Sequence, residues 1–143
     1  MKQIMIGLFL ILGCDNGSNS NIALSEFDEG SSLSNVFYSK LKWTSSLISG
    51  ESTSSVEIQI LNTDQSDLTT TSQLNEFHLS MPAMGHGTPE EDQKITDDGN
   101  NIYTVSGIHF MMAGDAGSWS AAVTATVDGR QDVAHITIQR PVE

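Results

Sequence analysis

The chain has 143 residues, of which 38% are apolar, 6% aromatic and 17% charged. This composition is typical of one small packed domain and excludes a coiled coil or a highly charged disordered chain. Eighteen acidic residues against six basic ones give a net charge of −12, which excludes nucleic acid as a partner because little could neutralise its phosphates. The single cysteine, Cys14, excludes a disulfide framework and a cysteine-based zinc site.

The N-terminus has the features of an export signal. An apolar run at residues 4–12 follows Lys2 and stops at Gly13-Cys14, before polar residues. A helix of about ten residues rises only ~15 Å, half of a ~30 Å hydrocarbon layer, so residues 1–13 are predicted to be a signal peptide rather than a membrane span.

The residues around Cys14 resemble the bacterial lipobox, because Ile11-Leu12-Gly13 places a small residue before the cysteine. The resemblance implies lipidation of Cys14, a membrane anchor and a location in the cell envelope. Asp15 resembles the inner-membrane retention signal of some Gram-negative bacteria. The alternative is an ordinary cleaved signal that leaves a reactive thiol.

Residues 14–34 are predicted to form an acylated, disordered tether. Serine, asparagine, glycine and acidic residues dominate the segment, and its isolated apolar residues cannot bury enough surface to offset chain entropy. The folded domain is therefore expected to span residues 35–143.

The domain is predicted to be all-β, an immunoglobulin-like β-sandwich of about seven strands, with an up-and-down barrel as the alternative. Apolar residues alternate with polar ones in short segments bounded by turn residues, with no sustained helical periodicity. The expected strands are residues 36–44, 54–62, 77–81, 93–96, 101–112, 119–127 and 133–139. Turns are expected at Asp98-Gly99-Asn100 and at Asp128-Gly129.

Methionines and histidines cluster between residues 78 and 112. Thioether sulfur binds Cu(I) well and hard cations poorly, and imidazole binds copper in either oxidation state, so the mixture favours copper. In the glycine-rich loop after Pro82, a spacing of two residues places Met84 and His86 on one side of an extended segment. His109 and Met111 share a face in the same way, opposite Ile108, Phe110 and Met112.

Each candidate ligand also has a structural interpretation. Met81 is in register with Phe77 and Leu79 and fits the core as well as it fits a metal. His86 could be an ordinary surface histidine. His78 faces away from the apolar side of its strand and is a weaker candidate, and His135 lies opposite Ala134 and Ile136 and is interpreted as a solvated strand residue. The predicted metal ligands are thus Met81, Met84, His86, His109 and Met111.

Two blocks of sequence resemble the YtkA-like domain family, which is related to the FixH accessory proteins of cytochrome oxidase assembly. They are Met81-Pro82-Ala83-Met84-Gly85-His86-Gly87, and Tyr103-Thr104-Val105-Ser106-Gly107-Ile108 with Phe110-Met111-Met112-Ala113-Gly114 and Ser118-Trp119. The resemblance covers residues 55–140 and implies an extracytoplasmic immunoglobulin-like domain that handles copper. It carries over Met81, Met84, His86 and either Met111 or Met112, although Asp115-Ala116-Gly117 is an insertion relative to the family pattern.

Two functions follow from these patterns. The first is a membrane-tethered module that binds or hands on Cu(I), with an envelope protein as copper acceptor. The second is an interaction domain without metal that docks another envelope protein. No nucleophile elbow, phosphate loop or zinc-protease motif is present in the sequence, so the chain is not expected to be an enzyme. The acidic residues at positions 90–92 and 97–98 lack a calcium-loop pattern and are interpreted as a solvated edge.

Overall fold

The computed structural model describes residues 26–143, so the predicted signal peptide, Cys14 and most of the predicted tether lie outside the described residues. The described part forms nine β-strands and no helix. They are β1 (Asp28–Ser31), β2 (Tyr38–Trp43), β3 (Ser54–Leu61), β4 (Ser72–Met81), β5 (His86–Gly87), β6 (Lys94–Gly99), β7 (Ile102–Ile108), β8 (Ser120–Val127) and β9 (Arg130–Thr137). Between residues 26 and 143, no helix is long and apolar enough to cross a membrane.

The strands form two antiparallel sheets, which confirms the predicted all-β sandwich. The larger sheet has the order β1-β2-β3-β7-β6, and the smaller has the order β5-β4-β8-β9. The structure has nine strands where the sequence predicts about seven, because β1 and β5 are too short to show alternation.

Strand β1 corrects the predicted domain boundary, because it lies inside the segment that we expected to be tether. Asp28 pairs with Leu41 of β2, and its buried carboxylate accepts hydrogen bonds from Trp43 Nε1 at 2.9 Å and from the backbone N–H of Gln139 at 2.8 Å. The domain therefore begins before residue 35. A prediction based on apolar alternation misses β1 because its inward-facing residue is an acid.

The core lies between the sheets and is built from the alternating residues of each strand. Leu41, Val56 and Ile58 of the larger sheet are fully buried, as are Leu79 and Val123 of the smaller one. Three aromatic rings continue the core at one end. The Phe110 ring lies 5.7 Å from Trp43 and 5.1 Å from Trp119, the latter edge to face, a geometry worth about 0.5–1.5 kcal/mol per pair beyond burial.

Two hairpins test the turn predictions. The β8–β9 hairpin turns at Asp128 and Gly129, as predicted, and both residues have positive φ. The β6–β7 hairpin turns at Asn100 and Asn101, with φ of 53° and 62°, rather than at Asp98-Gly99-Asn100. Paired left-handed residues are typical of a type I′ turn, and asparagine tolerates that conformation, so the turn moves toward the two asparagines.

The two lateral sides of the sandwich differ. On one side β1 leads into Ser32, which bridges to Ala134, and the Leu33 N–H donates to Val133 O at 2.8 Å, so the chain closes over β9. On the other side, β6 and the outer edge of β4 lie at the margins of their sheets. We call this second side, between residues 94–97 and 73–78, the open side.

Candidate metal centre

The first predicted block folds as the tight β4–β5 hairpin. Met81 lies directly opposite His86, and the backbone N–H groups of Met84 and Gly85 both donate to Met81 O at 3.0 Å. Gly85 has φ of 66°, which favours glycine there. The prediction of an extended loop was wrong, because these hydrogen bonds close a turn and His86-Gly87 returns as a strand.

This hairpin pairs a thioether with an imidazole across two strands. Directly opposed residues of an antiparallel pair point to the same face with their Cβ atoms about 4.5–5.5 Å apart, so Met81 and His86 are neighbours. Met81 is 6% exposed and packs in the core, whereas Met84 in the turn is 52% exposed. The structure thus gives Met81 the core position that its register indicates, and leaves Met84 and His86 accessible.

The second block lies in the connection between β7 and β8. Phe110 is fully buried and forms a parallel bridge with Ser49, which directs the side chains of its neighbours away from the core. Met111 is 60% exposed and His109 is partly exposed, as the predicted division of faces requires. Met112 was grouped with the buried face in the sequence, but it is exposed because the strand ends at Ile108 and the alternation stops.

The two blocks meet at Gly114. A Cβ atom on this glycine would lie 3.2 Å from Met81 Cε and 3.2 Å from Trp119 Nε1. Gly114 also bridges to Val142, and the inserted Asp115-Ala116-Gly117 forms a turn in which the Ser118 N–H donates to Asp115 O at 3.0 Å. The second block therefore lies beside Met81 in spite of the insertion. We call this end of the sandwich, with exposed Met84, Met111 and Met112, the methionine end.

Carboxylates lie beside two of the histidines. His78 Nδ1 lies 2.5 Å from Glu90 Oε1, and His109 Nε2 lies 3.6 Å from Asp92 Oδ2, which is too long for a hydrogen bond. The backbone carbonyl of Asp92 also packs on Gly107, where a Cβ atom would lie 2.1 Å from that oxygen. These contacts hold residues 88–93 against both sheets and place negative charge near the methionine end.

Sequence reasoning missed one polar feature of this region. Trp119 Nε1 is buried, and it has no hydrogen-bond partner within residues 26–143. Its position beside Gly114 and Met81 was not predictable, because Trp119 precedes β8 and the alternation of that strand does not indicate which residues the indole contacts. His135 is exposed, as predicted, and His78 pairs with Glu90 on the outer face.

Within the described residues, no group of three or more histidine, cysteine, aspartate or glutamate side chains is placed to hold a metal ion. The predicted ligands differ from such a group because they include thioethers. The structure brings Met81 and His86 together across the hairpin, places Met84 in the turn between them, and places the His109–Met112 segment at the same end of the sandwich.

No family model, curated protein or solved structure shows significant similarity to this chain. The resemblance to the YtkA-like domain family therefore stays a prediction from the motifs.

Proposed function

We propose that the chain is a membrane-tethered envelope module that binds Cu(I) at its methionine end and hands it to an acceptor protein. The proposed ligands are drawn from Met81, Met84, His86, His109 and Met111, with Cys14 as the site of lipidation. By the motif resemblance, the recipient would belong to cytochrome oxidase assembly or to copper homeostasis. In this proposal the module catalyses no reaction, because it acts only by binding and releasing the ion.

The observation that carries this proposal is the register of the β4–β5 hairpin. It sets Met81 and His86 side by side on one face, with exposed Met84 between them in the chain. Thioether and imidazole donors together select a soft ion over magnesium or calcium. An exposed methionine also gains nothing from core burial, so packing does not account for Met84 or Met111.

Electrostatics support cation binding at the same end. Glu90, Glu91 and Asp92 follow the hairpin closely in the chain and are exposed, and the whole chain carries a net charge of −12. A field of one sign raises the local concentration of ions of the opposite sign. The Asp92 carboxylate also lies 3.6 Å from His109, where it would favour a bound cation.

The test is an anaerobic titration of the full chain, held in neutral detergent, against a chromophoric Cu(I) chelator. We expect one bound Cu(I) per chain, and X-ray absorption should show sulfur at about 2.3 Å from the metal. The double variant Met84→Leu with His86→Gln should lose most of the affinity. Binding by the double variant equal to that of the unmodified chain, or a shell of nitrogen and oxygen only, would overturn the site.

A matched control distinguishes the loss of a specific ligand from weaker non-specific binding of copper to surface histidines. His135→Gln removes an exposed histidine from β9, on the outer face of the smaller sheet, and should leave Cu(I) affinity unchanged. If this control weakens binding as much as His86→Gln, the copper is bound non-specifically by surface imidazoles.

A docking module without metal is the second candidate, and it is favoured by one observation. Met84, Met111, Met112 and Ile48 are among the large apolar side chains exposed to solvent, and methionine-rich surfaces adapt to partner proteins. Leucine keeps the apolar area and removes the sulfur. Met84→Leu should therefore preserve docking to an envelope protein but weaken copper binding, whereas Met84→Asp should disrupt both.

A further inference from the structure

The two margins of the open side differ in how they are covered. Strand β5 pairs only with Ser80 and Met81, and the Thr88 N–H donates to Leu79 O at 3.0 Å. In the described part of the chain, no strand pairs with the outer edge of β4 over residues 73–78. Strand β6 lies opposite at the edge of the larger sheet, paired with β7 alone among the described strands, and all of its residues are exposed.

The open side is a bounded groove rather than a flat surface. At one end the Tyr103 hydroxyl donates to Ser72 O at 2.7 Å and joins the two sheets. At the other end Glu90 contacts His78 and fixes the loop before β6. Between these ends lies a shallow groove of about 160 Å³ lined by Asn75, Glu76, Phe77, Glu90, Gln93 and Ile95.

Strand β6 presents a short, regular edge to this groove. Ile95 pairs with Val105 and Asp97 pairs with Tyr103, so both side chains point to the face that carries buried residues in β7. Ile95 is nevertheless 38% exposed, and it lines the groove that also contains Phe77 of β4. A register shift between Asp97 and Gly99 ends the regular ladder, which leaves residues 94–97 for pairing.

The negative charge around the edge of β6 determines which kind of partner can bind there. Glu76, Glu90 and Asp97 lie on or beside the groove, and Glu91, Asp92 and Asp98 are exposed close by in the chain, whereas Lys94 is the strand's own basic residue. A second copy of this chain would bring another net charge of −12 to an edge that is already acidic. A positively charged segment instead meets complementary charge along the whole groove.

We propose that the outer edge of β6, residues 94–97, pairs with an extended lysine- or arginine-rich segment of a partner protein. The segment adds a strand to the five-stranded sheet through backbone hydrogen bonds. On the face that Ile95 and Asp97 share, an aliphatic side chain of the segment covers Ile95, and the next side chain on that face is cationic and meets Asp97 and the nearby Glu90. This surface is separate from the proposed copper ligands and does not depend on them.

The test uses the full chain in neutral detergent with a capped peptide of about seven residues in the repeating order Lys-Lys-Val-Val, close to a usual strand length, which places both residue types on each face of an added strand. We expect saturable binding that weakens with salt, together with slower hydrogen exchange at the β6 amides. The same peptide with alternate backbone nitrogens methylated keeps its charge but cannot pair, and it should bind about tenfold more weakly or worse. Equal binding of the two peptides would overturn strand addition.

Two substitutions of the same kind locate the site. Ile95→Lys places a positive charge in the groove and should weaken peptide binding about tenfold or more. Leu33→Lys makes the same chemical change at an exposed leucine on the closed side, beside β9, and should have little effect. Equal weakening by both variants would show a general charge effect and overturn the proposal. Protection of β6 in a peptide-free dimer would also overturn it, in favour of self-pairing.

Discussion

The carboxylate of Asp28 accepts the indole N–H of Trp43 inside the sandwich, at 2.9 Å. Its second oxygen accepts the backbone N–H of Gln139 at 2.8 Å, so a single buried acid joins β1, β2 and the segment after β9. Without this carboxylate the buried indole N–H of Trp43 would lose its hydrogen-bond partner. The first strand is therefore held by polar contacts at its buried position rather than by an apolar side chain.

Replacing this acid should destabilise the domain. Asp28→Ala leaves the buried Trp43 indole N–H unpaired and removes the partner of the Gln139 N–H, and we expect a loss of about 1–3 kcal/mol in the free energy of unfolding. Denaturant titration followed by tryptophan fluorescence measures it. Glu29→Ala, on the same strand, removes a 3.9 Å surface contact with Lys40 and an interaction with the Tyr38 hydroxyl, and should change stability less than Asp28→Ala does. Equal effects would contradict the role of Asp28.

A second prediction concerns Gly107. Its φ is 72°, and a Cβ atom would meet the Asp92 carbonyl oxygen at 2.1 Å, so Gly107→Ala combines backbone strain with a clash against fixed backbone. Gly129 has nearly the same φ, 73°, and open space around it. Gly129→Ala should therefore cost about 1 kcal/mol from strain alone, and Gly107→Ala clearly more. Similar unfolding free energies for the two variants would show that residues 88–93 move aside freely.

A third prediction separates the two methionines of the hairpin by their burial. Met81→Ala empties a core position and should cost about 2–5 kcal/mol, whereas Met84→Ala removes an exposed side chain and should stay within about 0.5 kcal/mol. Thermal unfolding followed by circular dichroism distinguishes them. A large loss for Met84→Ala without metal would mean that its side chain contributes to packing, and would weaken its assignment as a ligand.

A fourth prediction concerns Asp132 of β9, which we expect to stabilise the loop between β1 and β2 against acid. Partial burial raises the pKa of this carboxyl, but hydrogen bonds from the Ser32 hydroxyl and from backbone N–H groups outweigh it and lower the pKa below its usual value. Ser34 N–H, for example, donates to Asp132 Oδ2 at 2.7 Å. A lowered folded-state pKa contributes stability above the unfolded value of about 3.9, and that stability is lost as pH falls through the folded-state pKa.

The stability difference between the unmodified chain and Asp132→Asn, measured by urea unfolding from pH 7 to pH 2, isolates this contribution. We expect the unmodified chain to be more stable near neutral pH and the difference to shrink below about pH 4. A difference that stays constant with pH would show that the charge of Asp132 contributes nothing. One that grows as the pH falls would reverse the sign of the predicted pKa shift.

The sequence predicts the larger strands well because their buried faces alternate strictly. Val56, Ile58 and Ile60 are buried as expected, and the β8–β9 hairpin turns at the predicted residues. Strands β1 and β5 were not predictable from alternation. β1 buries an acid that is satisfied by partners far along the chain, and β5 exists because a turn returns His86 beside Met81.

The candidate site was predictable in its residue types but not in its arrangement. A spacing of two residues suggested that Met84 and His86 share a side of an extended loop, whereas the backbone closes a turn there and pairs His86 with Met81. The difference depends on the N–H groups of Met84 and Gly85, which both donate to Met81 O. Residue composition does not predict which local hydrogen bonds form. The approach of Gly114 to Met81 joins segments distant in the chain and has no local signal.

The direction of β1 determines where the proposed copper ligands would lie relative to a lipid anchor. Asp28 pairs with Leu41 near the end of β2, so the chain enters the sandwich at the same end as the exposed thioethers. Residues 15–27 can extend to at most about 45 Å from an acylated Cys14. A lipid anchor at Cys14 would therefore be tied to the end of the domain that carries the exposed thioethers, and a protein receiving the ion would have to present its own ligands at that end.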